Sequence, residues 1–555
     1  FVIIAAMNLP TPLSSEVSVS DLLLQIQTLL KKVERQAVQI EKLTAENTKL
    51  HAEIRHLKKL KGKPNIRPQK KDSDSDDEGN TALGSDNSPP PKGKRTRQQK
   101  PGGTSKPVPS TVKEAFCRVD DVQDDWINGG YQDFTHIDVD LQFVTTIYRR
   151  EYWKTPEGKT ILAPLPEHVK SRFGHNLKAL ILEMYHSCSV TQPLLLDWLH
   201  DYDCPISEGS LNNLLTENNE LFHQEKDELL ETGIACSRTL QVDDTGARHD
   251  GKNGVCTVIG NDLFTFFAST SSKSRINFLT LLQGQRRCHV LNSVAIAYMK
   301  QVKMAAKWVD VLSSFGEIHF LNDASWIAFL DDQKLLSKNQ RRMATEGILK
   351  AGLLQHGFPE SMVIHSDGAR QFDTVFAHSS CWFHAGRPLA KLIPGNTEER
   401  AARDWILDQY WRIYDDIEAY CQNPTQQQKH QIEQDFNDWI STHTCYDDLR
   451  NVLGKLRVIR GDLLLILEHP WLPLHNNWSE RQIREYVKRR KISGGTRSDQ
   501  GQRCRDTFAS LKKTCRQYGL SFARYLKDRL SGTGDISRLS NLIRDKSELS
   551  LCGSA

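Results

Sequence analysis

Between residues 22 and 57 apolar side chains recur at alternating intervals of three and four. Leu22, Leu29, Gln36, Leu43, Leu50 and Leu57 fall seven apart, and Ile26, Val33, Ile40, Asn47 and Ile54 fall seven apart, each three residues ahead of a member of the first set. This seam of five heptads, β-branched at a and leucine at d, predicts a parallel two-stranded coil about 54 Å long at 1.5 Å per residue. Asn47 at an a position fixes register and dimeric state at some cost in stability, and Glu53 and Lys58 are placed to pair between helices. A single amphipathic helix packed on its own domain would show a similar stripe, but five heptads in a run favour the coil. The expectation is a disordered N-terminus at 1–20, a coil at 21–60, and a homodimer or higher oligomer joined through residues 22–57.

Residues 61–112 lose all periodicity. An acidic run, Lys71-Asp-Ser-Asp-Ser-Asp-Asp-Glu78, gives way to three prolines at 89–91 and then to Lys92, Lys94, Arg95, Arg97, Lys100 and Lys106. Such a stretch buries too little apolar surface to offset the entropy of ordering, and reads as a disordered charged linker. Its basic half is either a solvated tether or an arm along phosphates. Residues 113–235 form the next region. Val139–Trp153 and Lys159–Leu165 read as strands around a Thr155–Gly158 turn. Helical patterns follow at Asn176–Tyr185 and Gln192–Leu199, then a third behind a Ser207 cap with Leu211, Leu214 and Leu215 on one face. Helix, short turn and capped helix outline a helix-turn-helix, although small helical pairs arise for other reasons.

From residue 236 the period shortens. Arg238–Thr245 is an apolar strand ending in Asp243 and Asp244; Gly254–Gly260 and Leu263–Ala268 follow as strands, then a helix from Ile276. Ser361–Gly368 is a later short strand that ends in Asp367. An Asp at a strand end is by itself a common turn starter. The third element changes the picture: in His475-Asn-Asn-Trp-Ser-Glu-Arg-Gln-Ile-Arg484, helical spacing puts Asn477, Glu480, Arg481 and Arg484 on one face. Residues 481–516 hold twelve Lys and Arg against three acids, including Lys488, Arg489, Arg490, Lys491 and Arg497.

Overall composition adds limits. Net charge is only +4, so basic surface must be local, and no apolar stretch exceeds Phe1–Met7, which predicts no membrane span. The twelve cysteines include no C-x-x-C pair, so no zinc is expected, and scattered reduced thiols fit a cytoplasm. Three carboxylates from two strands and a helix would make a hard-oxygen site for two Mg²⁺ or Mn²⁺ ions, with the neighbouring cations holding a polynucleotide.

With these residues in view, the chain resembles transposases of the insertion-sequence-66 family. Asp243-Asp-Thr245 is similar to that family's Asp-Glu-Thr, Ser366-Asp-Gly368 to its Thr-Asp-Gly, Cys381-Trp-Phe-His-Ala-Gly-Arg387 to its Cys-Trp-Ala-His-Ala-Arg-Arg, and Asn476-Asn-Trp-Ser-Glu-Arg481 to its Asn-Asn-x-x-Glu-Arg. Ser510–Thr514, Gly519-Leu520 and Tyr525–Leu530 match the family's tail in order. The resemblance implies a multidomain α+β protein with a ribonuclease-H-like catalytic domain at 236–530, a helical insertion at about 388–470 and a tail at 531–555. It implies catalytic, metal-binding Asp243, Asp367 and Glu480, with Asp243 preferred over the auxiliary Asp244. It also implies His384 as auxiliary, although a lone histidine beside Trp382 is as commonly a core residue. Arg481, Arg484, Lys488, Arg489, Arg490, Lys491 and Arg497 would contact double-stranded DNA. The implied activity is metal-dependent cleavage and strand transfer at the ends of an insertion sequence, in a bacterial cytoplasm and on the nucleoid when bound, with accessory proteins of the element as further partners. The alternative is a non-catalytic relative that only occupies those ends. Three departures stand out. Cys117 alone remains where the family often has a cysteine-rich module, an extra segment lies at 286–355, and within it Asn322-Asp323 rivals Asp367 as second acid.

Overall fold

The computed structural model describes residues 32, 33, 36, 132, 139, 141–169, 171–373 and 376–552. The expected coil and charged linker lie outside the described residues, apart from helical Lys32, Val33 and Gln36. By its contacts the chain divides into two units, residues 1–67 with 147–555, and residues 68–146. In the second unit the described residues carry no regular secondary structure. All elements named below belong to the first.

Strands β1 (Tyr152–Lys154) and β2 (Thr160–Leu162) pair antiparallel with Trp153 opposite Ile161. The turn forms as the sequence predicts: Gly158 N donates to Thr155 O at 2.9 Å, and Gly158 takes φ +78°, which glycine adopts freely. The strands themselves are far shorter than the apolar runs suggest. Tyr152, Trp153 and Ile161 are exposed in a sheet of two strands, so a longer ladder would have no core to bury against.

Four helices follow: α1 (His175–Leu182), which runs into a π-helical turn at Glu183–Ser187, α2 (Gln192–Asp201), α3 (Glu208–Thr216) and α4 (Glu220–Ala235). Ser207 caps α3, its Oγ accepting from Ser210 N at 3.2 Å, while Leu195, Leu199, Leu211 and Leu215 are buried. The exposed positions of α3 are Glu208, Gly209, Asn212 and Asn213, without a cation.

A meander of β3 (Thr239–His249), β4 (Lys252–Gly260) and β5 (Thr265–Thr270) precedes α5 (Arg275–Gln283). The extra segment then forms β6 (His289–Leu291), α6 (Ser293–Gln301), α7 (Ala306–Ser313), β7 (Ile318–Phe320), α8 (Asp323–Asp332) and α9 (Lys338–Gln355). It closes a core of its own around Leu291, Met299, Leu312, Trp326 and Ile348. The chain returns to the main sheet with β8 (Val363–Ser366) and β9 (Ala377–Ser380), both parallel to β3, in the order β5-β4-β3-β8-β9. The insertion comprises α10 (Trp382–Ala390), α11 (Thr397–Gln422), α12 (Gln426–Ile440), α13 (Asp447–Val458) and α14 (Arg460–Leu464), packed around Trp382, Tyr410, Ile417, Phe436 and Leu453.

Helix α15 (Asn477–Ser493) lays Trp478, Ile483 and Tyr486 against Ala247, Cys256, Val258 and Phe267 of the sheet. Each such large side chain contributes about 1.5–3 kcal/mol on full burial. Helix α16 (Asp499–Gln517) runs along the edge strand β5, followed by α17 (Phe522–Ser531) and α18 (Leu539–Cys552). Its residues Asp506, Ser510 and Thr514, four apart on one face, accept the backbone N–H groups of Ser269 at 2.7 Å, Phe267 at 2.8 Å and Thr265 at 3.1 Å. Outward N–H groups of an edge strand alternate along the chain, and a helix presenting an acceptor every turn satisfies them as a neighbouring strand would.

Candidate active site

Strands β3 and β8 run parallel with Gln241 opposite His365. Asp243 and Asp367 each stand two residues further on, one full side-chain period, so they leave neighbouring strands level with each other on strands about 4.8 Å apart. Just past Asp367 the chain turns at Gly368, φ +87°. Asp367 Oδ1 accepts from Ala369 N at 3.0 Å and Ser366 Oγ accepts from Gly368 N at 3.0 Å. Ser366 Oγ lies 2.8 Å from His378 Nε2, and His378 Nδ1 lies 2.7 Å from Asp462 Oδ2. The turn that presents Asp367 is thus braced from β9 and from the helical insertion.

Glu480 arrives from a third direction. Asn476 Nδ2 donates to Val242 O at 2.9 Å, tying the start of α15 to β3 one residue before Asp243. The same corner holds α10, because Asn476 N donates to Cys381 Sγ at 3.3 Å and Trp382 N donates to Leu474 O at 3.0 Å. One turn into α10, His384 Nε2 lies 3.5 Å from Glu480 Oε1, and Arg387 Nη2 lies 3.7 Å from the same oxygen. His384 and Arg387 are three residues apart on one helical face.

The charges feel one another. Asp243 is pushed up from its ordinary 3.8 to about 7, first by burial, then by the negative charges of Asp367, Asp244 and Glu480, against the Asp244 N–H that donates to it at 2.7 Å. Burial, and then Arg387, lower the proton affinity of His384, while Glu480 and Asp367 pull it the other way. Asp244 points to the opposite face of β3, where Lys273 and Gln371 bind its two oxygens.

Several oxygens here lack a hydrogen-bond donor. Glu480 Oε1, Asn476 Oδ1 and Asn477 Oδ1 are buried and accept no hydrogen bond. Buried acceptors without donors are costly, and carboxylate and amide oxygens are the hard donors that Mg²⁺ or Mn²⁺ takes. Among the described residues no three His, Cys, Asp or Glu side chains stand close enough to hold an ion as they are placed. The residues therefore fit a hard divalent cation in donor type and in shared repulsion, without a finished coordination shell.

Residues 338–504, which include Asp367, His384 and Glu480 but not Asp243, match the family described as Transposase IS66 family. The chain is also 35% identical over 321 residues to Uncharacterized protein y4jO of Sinorhizobium fredii (strain NBRC 101917 / NGR234), across 57% of this chain and 100% of that protein. The chain belongs to the IS66 transposase family. No solved structure matches it.

In this IS66-family chain the basic run after Glu480 divides in two. Arg481, Arg484, Lys488 and Lys491 are exposed along one face of α15, and Arg497 is exposed in the loop after it. Arg489 and Arg490 turn inward. Arg489 is buried over the Tyr185 ring, 4.2 Å from its centroid, and Arg490 donates to Thr245 Oγ1 at 3.1 Å. Both guanidinium groups brace α15 from within the fold, Arg489 buried and Arg490 half-buried, a correction to reading the run as uniform. The rival acid is also explained: Asn322 caps α8 in a capping box, and Asp323 Oδ1 lies 2.7 Å from His289 Nε2, within the separate core of the extra segment. Sequence reasoning assigned no role to Arg387 or Asn476. The i+3 spacing of Arg387 from His384 was one available signal, and both Arg387 and Asn476 stand inside the motifs that carry the family resemblance.

Proposed function

We propose that this chain is a DNA transposase that cleaves and joins strands at the ends of an insertion sequence, using Asp243, Asp367 and Glu480 with Mg²⁺ or Mn²⁺. The observation that supports this reading is geometric: the parallel β3–β8 pairing sets Asp243 level with Asp367, and Asn476 ties the start of the Glu480 helix to Val242 O beside Asp243, acids separated by more than a hundred residues at each step. Two such ions, when bound, supply activation of a water or 3′-hydroxyl and stabilisation of the leaving oxygen. Asp243, once deprotonated, adds the charge that a cation requires. His384 and Arg387 orient Glu480 from α10, and the exposed stripe Arg481, Arg484, Lys488 and Lys491 neutralises phosphates. The sheet order, three antiparallel strands followed by two parallel ones on the far side of β3, supports a ribonuclease-H-like catalytic domain. The helix pair α2–α3 carries less of the DNA grip in this account than its outline suggests, because α3 offers no cation.

The test is cleavage of DNA carrying the element ends by the full-length protein. The parent cuts with Mg²⁺ or Mn²⁺ and not with chelator. Asp243→Asn, Asp367→Asn and Glu480→Gln each bind DNA as the parent does but cut at least about 100-fold more slowly, since even residues that only orient a metal ligand cost about 10–100-fold when changed. One observation favours a second reading, a non-catalytic relative that occupies element ends: among the described residues no three ligating side chains are already drawn together. A parent that binds the ends and never cuts them with either ion would decide for that reading.

A further inference from the structure

Away from the carboxylates, a cavity of about 200 Å³ opens between α15, α16 and the π-helical turn that follows α1. Lys488, Arg489, Arg505, Lys512, Lys513 and Arg516 line it, with Glu485 as its one acid. Glu485 is shared three ways, with Lys512 at 3.4 Å, Lys513 at 3.1 Å and Arg516 at 3.0 Å. Arg505 donates to Gly494 O at 2.9 Å and to Ser493 Oγ at 3.0 Å, and Lys512 Nζ donates to Ser187 O at 3.1 Å. Arg489 is only 8% exposed, yet its Nη2 has no hydrogen-bond partner. His186 Nε2, on the same wall, is buried and also without one.

Six cations around one carboxylate leave a large excess of positive charge in a partly dry recess, and buried charge without a counter-charge is costly. Arg489 Nη1 donates to Tyr185 O, which leaves Nη2 as the free donor aimed at an anion, and the lysines add point charges. A π-helical turn in one wall fits as well, since such turns recur at functional sites. We infer that this cavity is a phosphate-binding subsite, distinct from the carboxylate cluster, that grips a backbone phosphate of the bound DNA.

DNA is favoured as the source because Lys488 belongs both to the cavity and to the exposed stripe that begins beside Glu480 at Arg481. Eight residues of helix separate Glu480 from Lys488, about 12 Å at 1.5 Å per residue. At about 3.4 Å per nucleotide on one strand, that reach corresponds to roughly three or four nucleotides from the cut. The subsite would thus fix the register of the strand without touching the reacting atoms. This step rests on the DNA-processing reading above.

The experiment measures binding of the full-length protein to double-stranded element-end DNA, in chelator, across a salt series. Losing one phosphate contact weakens binding about fivefold at 0.15 M salt and lowers the salt slope by about 0.9. Lys513→Gln with Arg516→Gln is expected to do so, whereas Glu485→Gln, which frees three cations, is expected to shift affinity and slope in the opposite direction. Arg503→Gln, which removes one cation on the same helix that is paired with Glu220 outside the cavity, is the control and changes neither. Opposite signs from the two cavity variants distinguish a subsite from misfolding. Inorganic phosphate provides the second arm: stabilisation by phosphate that the double variant abolishes, with DNA binding unmoved, would make this a free-phosphate site and overturn the DNA assignment. DNA binding and salt slope unmoved in both variants, without a phosphate effect, would overturn the subsite while leaving the proposed function intact. A parent that fails to bind DNA at all would remove both.

Discussion

Two buried acidic sites in this molecule are built in opposite ways. Glu225, fully buried on α4, accepts from Arg529 at 2.8 and 3.0 Å, from Tyr525 OH at 2.9 Å and from Leu539 N at 3.1 Å. Its charge and its lone pairs are answered by the protein. Asp243 is surrounded by other acids, and the nearby Glu480 has an oxygen that accepts nothing. The first arrangement is an internal brace between α4 and the C-terminal helices. The second gathers negative charge at a cost in folding energy that His384 and Arg387, both beside Glu480, offset only in part. Their partner sets distinguish an acid used as an internal brace from acids left open to a ligand.

That contrast can be pressed with substitutions. Glu225→Gln takes away the main carboxylate partner of Arg529, which keeps Asp528 and the carbonyls of Ile536 and Ser537, and should destabilise the protein by about 3 kcal/mol, the lower end for breaking a buried pair, in denaturant unfolding. Asp243→Asn should do the reverse in metal-free buffer. A carboxyl whose folded pKa rises from 3.8 to about 7 stays protonated in the folded chain while the unfolded chain ionises, so stability falls as pH rises between those values and levels off above. The stabilisation by Asp243→Asn should therefore grow from pH 4 to pH 7 and then stay flat, reaching on the order of 1–4 kcal/mol. An unchanged or growing disadvantage of the variant over that range would break the comparison. A smaller effect tests the scaffold: Ser510→Ala leaves the Phe267 N–H without its acceptor and should cost about 1–3 kcal/mol in unfolding, without altering DNA binding.

Much of the scaffold around the main sheet was legible because local pattern and tertiary role agree there. The meander β3–β5, the short strand before Asp367 and the helix carrying Glu480 all follow from period and turn chemistry. The 286–355 segment was seen as extra, but not as a body with its own core, because short apolar runs such as His289–Leu291 do not announce which sheet they join. The polar stripe Asp506, Ser510 and Thr514 would have read as a solvated face; it is buried because it completes an edge strand from a distance of some 240 residues. Arg489 was unreadable for a related reason. A run of four cations looks alike along the sequence, and only helical phase against Tyr185 and β3 decides which two turn inward. The carboxylates were suggested by three local motifs, yet their proximity rests on the β3–β8 pairing and the Asn476 tie, both long-range.

The central claim is that Asp243, Asp367 and Glu480 share a divalent cation. Calorimetric titration of Mn²⁺ into the DNA-free protein at pH 8, where Asp243 is ionised, tests it most directly. The account predicts saturable binding by the parent that is lost or at least about tenfold weaker in each of Asp243→Asn, Asp367→Asn and Glu480→Gln, with Glu346→Gln, an acid already held by Arg342 at 2.7 Å and by Tyr298 OH at 2.7 Å, leaving it unchanged. Equal Mn²⁺ binding by the parent and all three site variants, or none by the parent, would contradict it.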